Sequence, residues 1–371
     1  MKLLVFGLSV SSAWGNPHAT LWRGLIQALA SQGHSVTFYE RDMPMRAVHR
    51  DLSALPNAEL VLYSDFSDVR KSAAAALQRA DVGLVTSDCP DALSATVLLL
   101  EAAVPVRAFY GLDTPATLQR VARGESLAYI GPRGLRDFDI VLSDAGGRAH
   151  GELHRLLGAR RVATFYGGVD THMYSPAAPQ PIYNADLSYL GAHTADPQSE
   201  LEQLFLAPAR ARPDLTFAVG GAHYLADFAW AANVKYLWQV PLHERSSFFC
   251  SARLNLALSR APATALGYCP SPALFAAAAS GAAIITDAAP GIQDFYEPDD
   301  EIIVARDTED VLAALSRGER ELNGMRRRAL ERTLAEHALP LRARQLVDLL
   351  SEARASHREF EREALETTRE V

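Results

Sequence analysis

Three titratable side chains in the N-terminal half could carry proton-transfer chemistry. His18 lies just inside the helix predicted to follow the first strand, and an imidazole exchanges protons near neutral pH. Asp88, in TSDCPD, and Asp113, in GLDTP, each follow a predicted strand on the same edge, so either carboxylate could orient the imidazole. The structural alternatives are a histidine hydrogen-bonded to its own loop and aspartates that cap the next helices.

The loop after the first predicted strand is rich in small and polar residues. It reads GLSVSSAWGNPHAT, and its candidate ligand contacts are Gly7, Ser11, Ser12, Gly15 and Asn16. Glycine and small side chains let backbone N–H groups approach a bound molecule. The spacing is not the GxGxxG of dinucleotide-binding proteins, so the loop predicts ligand contact without identifying the ligand.

A second candidate site lies in the C-terminal half, where 271–291 reads SPALFAAAASGAAIITDAAPG. Ser271 and Pro272 are typical of a helix start, and the loop Asp287–Gly291 follows the buried strand AAIIT. The free N–H groups at the helix start favour an anion such as phosphate, although the run could equally serve packing alone. Arg260 follows another predicted strand and is the best candidate for a phosphate contact.

The elements that must position these residues alternate between strands and helices. In the N-terminal half, the apolar runs LLVFGLSV, DVGLVTS and FDIVLSD predict buried strands separated by helices. The alternation stops at a stretch rich in proline and then restarts with LSYLG, LNLAL and AAIIT. Such alternation is typical of parallel sheets covered by helices on both faces.

We therefore predict an α/β protein with two doubly wound, Rossmann-like domains. The predicted domains are 1–172 and 183–335, joined by a Pro-rich linker, 173–182, and followed by a charged helical segment, 336–371. Ligands of such folds bind at the carboxyl ends of the parallel strands. With two domains in one chain, a cleft between them is the expected site.

The bulk composition excludes several functional classes. The chain has 371 residues, 49% of them hydrophobic, and a formal net charge of −8, which argues against nucleic acid as the main partner. No run is long and apolar enough to span a bilayer, and the first residues fit a buried strand better than a secretory signal. Three widely spaced cysteines predict neither a disulfide framework nor a zinc site, in keeping with a cytoplasmic protein.

Three stretches could be mistaken for metal sites. DFD at 137–139 starts a predicted strand and is remote from the nucleotide signature. HGELH at 150–154 lacks the spacing of HExxH and has no third ligand, and the acidic turn at 297–301 is expected to be exposed. We therefore predict no bound metal.

The C-terminal site and its flanks resemble the donor domain of GT-B glycosyltransferases, specifically the CgeB-like (spore maturation protein-like) branch. The likeness is carried by GYCPSPALFAAAASGAAIITDAAPGIQDFYEPDDEIIVARDTEDVLAAL. Four further stretches resemble the same branch: GLSVSSAWGNPHATLWRGLIQALASQGHSVTFYERD, AFYGLDTPATL, FYGGVDTHMYSP and DLSYLGAHTADPQSELEQLFLAPAR. The resemblance implies a GT-B fold, in which two Rossmann-like domains face a cleft, the N-terminal one for the acceptor and the C-terminal one for a nucleotide-sugar donor.

The resemblance also implies roles for individual residues. The implied donor-binding residues are Gly191, Arg260, Ser271, Pro272, Leu274, Asp287 and Gly291. In many GT-B enzymes a histidine near the position of His18 deprotonates the acceptor hydroxyl. A retaining enzyme could use the leaving phosphate as the base instead, so the stereochemical outcome stays open.

Charged residues typical of the branch are missing from this chain. Ala273 and Ala276 stand where the branch usually has arginine and glutamate, and Pro197 and Gly111 replace an arginine and an aspartate. In relatives the glutamate is expected to bind the ribose hydroxyls, and the arginine lies near the diphosphate. Because a charge-assisted hydrogen bond contributes about 1.5–3 kcal/mol, two or three losses would weaken donor binding by several decades. Compensation by another residue, such as Arg253 or Arg245, is the alternative.

We hypothesise a cytoplasmic, metal-independent glycosyltransferase that moves a sugar from a nucleotide-sugar to an unknown hydroxyl or amine acceptor. It would need no cofactor beyond that co-substrate, and its acceptor and oligomeric state stay open. The missing charges favour an alternative: a pseudo-glycosyltransferase that partners an active enzyme, or a GT-B enzyme with an unusual donor. A small-molecule binder or a sugar-nucleotide epimerase on the same scaffold is a third hypothesis.

Overall fold

The chain forms two compact units, which we call the N-terminal and the C-terminal unit. The N-terminal unit comprises Met1–Gly167 and the segment from Leu339 onward, and the C-terminal unit comprises Gly168–Ala338. The computed structural model describes residues 1–13, 16–191, 199–222, 224–225 and 227–369. Each unit is built around one parallel sheet, which confirms the predicted α/β class.

Seven strands form the sheet of the N-terminal unit. They are β1 (Lys2–Gly7), β2 (Ser35–Arg41), β3 (Glu59–Tyr63), β4 (Val82–Thr86), β5 (Val106–Gly111), β6 (Ile140–Ser143) and β7 (Val162–Thr164). All are parallel, in the spatial order β3-β2-β1-β4-β5-β6-β7. Because helices cover the sheet, its central strands read as continuous apolar runs, and every residue of β4 is buried.

Helices connect these strands. They are α1 (Pro17–Ser31), α2 (Pro44–Ala47), α3 (Phe66–Leu77), α4 (Ala92–Glu101), α5 (Thr114–Ala122) and α6 (Arg148–Leu157). A proline in the first turn of α1 starts the helix without sacrificing a hydrogen bond. Trp22, Leu25, Ile26 and Leu29 then recur at helical spacing and are all buried, so one stripe of α1 packs on the sheet.

The sheet of the C-terminal unit has six strands. They are β8 (Ala185–Leu190), β9 (Phe217–Gly220), β10 (Val234–Leu237), β11 (Ala252–Ala257), β12 (Ile284–Asp287) and β13 (Ile303–Ala305). They are parallel, in the order β10-β9-β8-β11-β12-β13. The helices of the C-terminal unit are α7 (Ser199–Leu201), α8 (Ala207–Ala211), α9 (Arg245–Ser251), α10 (Ala261–Leu266), α11 (Pro272–Ala279), α12 (Thr308–Leu315) and α13 (Glu319–Arg332).

The last helix, α14 (Leu339–Arg369), belongs to the N-terminal unit although it follows the C-terminal one in sequence. Ala343, Leu346, Leu350 and Ala353 of this helix are buried in the same core as the apolar stripe of α1. Residues 336–371 were predicted to form a separate helical segment. In the structure the described part of α14 is an integral layer of the first unit, because its apolar stripe completes that core.

All strands of a parallel sheet end at the same edge, so the loops that follow them lie together. In the N-terminal unit these are the loops after β1, β2, β4 and β5, and in the C-terminal unit the loops after β8, β11 and β12. Among the described residues, every helix is too short or too polar to cross a membrane.

Candidate functional site

Two loops meet at the carboxyl edge of the C-terminal sheet. β11 and β12 are adjacent and parallel, with Ala257 paired to Thr286. The buried carboxylate of Asp287 joins the loops that follow them. It accepts hydrogen bonds from the Ser259 backbone N–H at 2.7 Å and from the Thr264 hydroxyl at 3.4 Å. The carboxylate that was predicted to bind the donor therefore holds the neighbouring loop in place.

A second link joins the same two loops. The Tyr268 N–H donates to the Pro290 carbonyl at 2.7 Å. Gly267, Tyr268 and Gly291 all have positive φ, at 74°, 51° and 83°. A Cβ on Gly291 would lie 2.4 Å from the ring of Tyr268, and a Cβ on Gly267 would lie 2.9 Å from Pro290. The loops interlock so closely that a side chain at either glycine would force them apart.

Helix α11 begins directly after the first of these loops. Ser271 precedes it without a side-chain capping bond, and Pro272 is exposed at its first turn. Leu274 is fully buried, and its N–H donates to the Ser271 carbonyl at 3.0 Å. The Leu274 side chain packs in the core, so its side chain is not available to a donor, and a donor contact of its backbone stays a prediction. With Ala273 and Ala276, the start of the helix presents no charged side chain.

Two further predicted donor residues lie at the same edge of the sheet. Arg260 immediately precedes α10 and is exposed. Gly191 follows β8, its N–H donates to the Gly220 carbonyl at 2.9 Å, and its own carbonyl accepts from the Tyr224 hydroxyl at 3.0 Å. Pro197 lies outside the described residues. The structure thus brings Gly191, Arg260 and the two interlocked loops to one edge.

In the N-terminal unit, a buried carboxylate that the sequence analysis did not single out organises the loop after β1. Glu40, in β2, is only 1% exposed. It accepts hydrogen bonds from the Ser9 hydroxyl (2.8 Å), the Val10 N–H (2.7 Å), and both the N–H and the hydroxyl of Ser11 (2.9 and 2.6 Å). Two N–H groups that were expected to approach a ligand therefore bind Glu40.

The other loop residues predicted as ligand contacts are mostly engaged within the unit. Ser12 is fully buried, and its hydroxyl donates to the His49 carbonyl at 2.9 Å. The Asn16 side-chain amide donates to a carbonyl of the same loop at 3.0 Å, whereas its Oδ1 is buried without a partner among the described residues. Gly7 is the last residue of β1, and Gly15 lies outside the described residues.

The three candidate proton-transfer residues follow neighbouring strands. His18 is half-buried in the first turn of α1, and Asp88 is exposed after β4 with a φ of 60°. Asp113 accepts a hydrogen bond at 3.4 Å from the backbone of α5, so it caps that helix. Burial raises the pKa of Tyr129, and the negative charges of Asp88 and Asp113 raise it further. The two carboxylates therefore lie around one buried tyrosine.

Position 111, where relatives tend to have an aspartate, has little room for a side chain in this structure. Gly111 ends β5, and a Cβ there would lie 2.6 Å from the Thr114 Oγ1. The Thr114 hydroxyl donates to the Gly111 carbonyl, and the Thr114 N–H donates to Asp144 at 2.9 Å. The local hydrogen bonds at the start of α5 therefore occupy the space that a larger residue would need.

Comparison with known proteins gives this architecture a family context. Residues 198–348, which include both interlocked loops, match the family model described as "Glycosyl transferase-like". The match covers most of the C-terminal unit and the start of α14. No curated protein sequence is significantly similar to the chain.

Several solved structures have a similar fold. Sucrose-phosphate synthase from Thermosynechococcus elongatus has a TM-score of 0.65 at 12% identity, over 96% of this chain and 100% of that one. Anabaena HepE with UDP and glucose has 0.64 at 14%, over 95% and 100%. An alpha-glucosyltransferase with UDP-glucose and DNA has 0.67 at 13%, over 95% and 99%. These likenesses confirm two Rossmann-like units of the GT-B class.

The three stretches that could be mistaken for metal sites, 137–139, 150–154 and 297–301, form ion pairs and hydrogen bonds with other residues. The pairs are Asp137 with Arg133, Asp139 with Arg107, Asp299 with Arg317, and Asp300 with Arg328. His150 bonds to the Thr164 hydroxyl at 2.7 Å. Within the described ranges, no three His, Cys, Asp or Glu side chains are grouped so that they could hold a metal ion.

Burial of Asp287 in the C-terminal unit predicts a pH dependence of stability. Desolvation raises the pKa of this carboxyl, against the hydrogen bonds from Ser259 and Thr264, which lower it. The folded chain therefore holds the proton more tightly than the unfolded chain. The contribution of Asp287 to stability must fall as pH rises from its unfolded pKa, near 3.8, through its folded pKa, and stay level above it.

Asp287→Asn isolates this contribution, because the asparagine oxygen can still accept from Ser259. We expect the free energy of unfolding of the native chain, minus that of the variant, to fall as pH rises from 3.8 and then to level off. Urea denaturation of both proteins at a series of pH values measures this difference in the free energy of unfolding. A difference that grows with pH would show that hydrogen bonding, not burial, dominates at Asp287.

Proposed function

We propose that the chain transfers a sugar from a nucleotide-sugar donor to a hydroxyl or amine acceptor. The observation that carries the proposal is the glycosyl transferase-like match over residues 198–348, which contain the two interlocked loops after β11 and β12. Rigid loops at the carboxyl edge of a parallel sheet are suited to holding a ligand in one orientation. In the C-terminal unit, that ligand would be the donor.

The diphosphate of the donor would bind between Arg260 and the start of α11. An arginine fork matches phosphate oxygens, and the first N–H groups of a helix favour an anion. The HepE structure contains UDP and glucose, and the alpha-glucosyltransferase structure contains UDP-glucose. Uridine diphosphate sugars are therefore the first donors to test. The sugar would lie near the loop Asp287–Gly291.

The N-terminal unit would supply the acceptor side. His18 would act as the base, and either Asp88 or Asp113 would orient it or stabilise the imidazolium. The loop after β1 would bind the acceptor through groups that Glu40 does not occupy. We propose that the reaction needs no bound metal, so activity should survive an excess of EDTA.

One observation favours the non-catalytic alternative. The start of α11 has no acidic or basic side chain, and Ala276, at the position of the expected glutamate, is 6% exposed. A chain of this kind could keep the fold, lose the usual donor contacts and regulate an active enzyme. The same observation is compatible with a donor that lacks an ordinary ribose contact.

A nucleotide screen tests the proposal. We expect a rise in melting temperature with at least one of UDP, GDP, dTDP, ADP, CMP or their sugar conjugates, followed by a measurable Kd in calorimetry. Arg260→Ala should weaken that binding by about 10–100-fold, the equivalent of one charge-assisted hydrogen bond. Arg212→Ala, which removes an arginine paired with Asp214 just before β9, at the opposite edge of the sheet, should leave it unchanged.

The outcomes separate the hypotheses. Binding together with sugar transfer or slow donor hydrolysis supports the enzyme. Binding of a nucleotide with no turnover across a panel of acceptors supports the non-catalytic alternative. If no nucleotide shifts the melting temperature, a nucleotide-sugar donor is excluded and the proposal fails.

A further inference from the structure

A cavity of about 380 Å³ opens on the N-terminal unit, away from all the residues discussed as donor or acceptor contacts. Its lining residues are Leu100, Arg107, Arg133, Arg136, Asp137, Phe138, Asp139 and Arg160. We call it the arginine cavity. Four guanidinium groups around one small cavity are notable in a chain whose net charge is −8.

The arginine cavity lies at the amino edge of the sheet. Arg107 is the second residue of β5, Asp139 immediately precedes β6, and Arg160 shortly precedes β7. The candidate proton-transfer residues follow the other ends of the strands. Because a strand rises about 3.3 Å per residue, the six residues of β5 separate the two edges by roughly 17 Å. The cavity is therefore not part of the predicted catalytic edge.

Two of the four arginines are neutralised by carboxylates. Arg107 binds Asp139 through two nitrogens, each at 3.0 Å, and Arg133 binds Asp137 at 2.5 and 2.6 Å. These fork-to-carboxylate pairs fix the orientation of the guanidinium planes and of both aspartates. They account for all the negative charge that lines the cavity.

The other two arginines retain their charge. Arg136 donates only to the Arg133 carbonyl, at 2.8 Å, and neither Arg136 nor Arg160 has an ion-pair partner in the part of the chain that the structure describes. The cavity therefore carries an excess charge of about +2, from four arginines and two aspartates.

Arg133, Arg136 and Arg160 line the same cavity as Asp137. The hydrogen bond from Arg133 lowers the pKa of Asp137, and the charges of Arg133, Arg160 and Arg136 lower it further. Three guanidinium groups thus act on the same carboxylate. Phe138, which is 4% exposed, and Leu100 supply an apolar wall of the cavity.

We propose that the arginine cavity binds a phosphate group, either free or on a lipid headgroup, between Arg136 and Arg160. A phosphate dianion matches the excess charge, and its oxygens match the planar fork of each guanidinium. A volume of about 380 Å³ suits a small phosphorylated molecule rather than a polymer groove. This site is independent of the proposed donor site, which lies in the other unit.

Calorimetry with inorganic phosphate tests the free form on the full chain. We expect binding to the native protein that weakens at least tenfold in Arg136→Gln/Arg160→Gln. Arg136→Lys/Arg160→Lys should be intermediate, because lysine keeps the charge but loses the fork. Arg155→Gln, which removes an exposed arginine paired with Glu152 on α6, should bind phosphate normally. Arg260→Ala should also bind it, since the donor site is not involved.

Sedimentation with vesicles of phosphatidylcholine, with and without phosphatidic acid, tests the lipid source. Binding only to phosphatidic acid vesicles, lost in the double glutamine variant, would place the phosphate on a lipid. The proposal is overturned if the native protein binds neither free phosphate nor phosphatidic acid vesicles. It is also overturned if binding persists unchanged in Arg136→Gln/Arg160→Gln. A nucleotide-induced rise in melting temperature should be the same in the double variant and the native chain, so this test and that of the donor site fail independently.

Discussion

Replacing Glu40 with alanine is expected to lower the free energy of unfolding by about 3 kcal/mol, the largest effect that we expect of any single side chain named here. The carboxylate is 1% exposed and accepts four hydrogen bonds from Ser9, Val10 and Ser11. Alanine would leave the N–H groups of Val10 and Ser11 without a partner in a buried loop. An unsatisfied buried donor costs about 1–3 kcal/mol, and here two are created at once.

Glu40→Gln is the matched control for this prediction. Both backbone N–H groups donate to one carboxylate oxygen and both hydroxyls donate to the other. A glutamine can present its oxygen to the N–H groups and donate its NH₂ to hydroxyl oxygens that rotate to accept. We therefore expect less than half the loss seen with alanine in urea denaturation. Equal losses in the two variants would show that the negative charge, not hydrogen-bond satisfaction, holds the loop.

Gly291→Ala is expected to weaken nucleotide binding by at least about tenfold, which corresponds to 1.4 kcal/mol. The new Cβ would lie 2.4 Å from the ring of Tyr268, next to the base of that side chain. The Tyr268 N–H donates to the Pro290 carbonyl, so a backbone shift that relieves the clash would displace both loops. A ligand held between rigid loops loses affinity when their spacing changes.

Gly281→Ala separates loop displacement from backbone strain. Gly281 also has a left-handed backbone, with a φ of 73°, but its Cβ would be 3.4 Å from the nearest atom, an ordinary contact with Pro176. Both substitutions should cost about 1–2 kcal/mol of strain. Only Gly291→Ala should also reduce the nucleotide-induced rise in melting temperature. If the two variants respond alike to nucleotide, the interlocked loops do not form the donor site.

The order of elements could be predicted from local sequence signals. Buried parallel strands read as short apolar runs, and the helices between them start at residues such as Pro272, whose ring suits the first turn. For the same reason the α/β class and the two candidate site regions, 1–18 and 271–291, were predictable. The role of Asp113 as a helix cap was also foreseen, as the alternative to catalysis.

The candidate site could be located only in outline. Local signals identified Arg260, Ser271 and Asp287 as candidates within one domain. They could not predict the hydrogen bond from the Ser259 N–H to Asp287, because it joins residues 28 positions apart. The neighbours of a strand are set by the strand order, and no periodicity encodes that order. The contacts that interlock the two loops were therefore outside the reach of the sequence analysis.

The sequence by itself determined the alternation of strands and helices, the edge of the sheet to which each polar loop belongs, and the shortage of charge at the start of α11. These properties depend on residues close together in the chain. Only the tertiary structure decided that Glu40 fills the loop after β1, that Leu274 lies in the core, and that α14 packs on the first unit. The physical reason is common to all three: burial and hydrogen-bond partners are set by segments far apart in sequence that meet only in the folded chain.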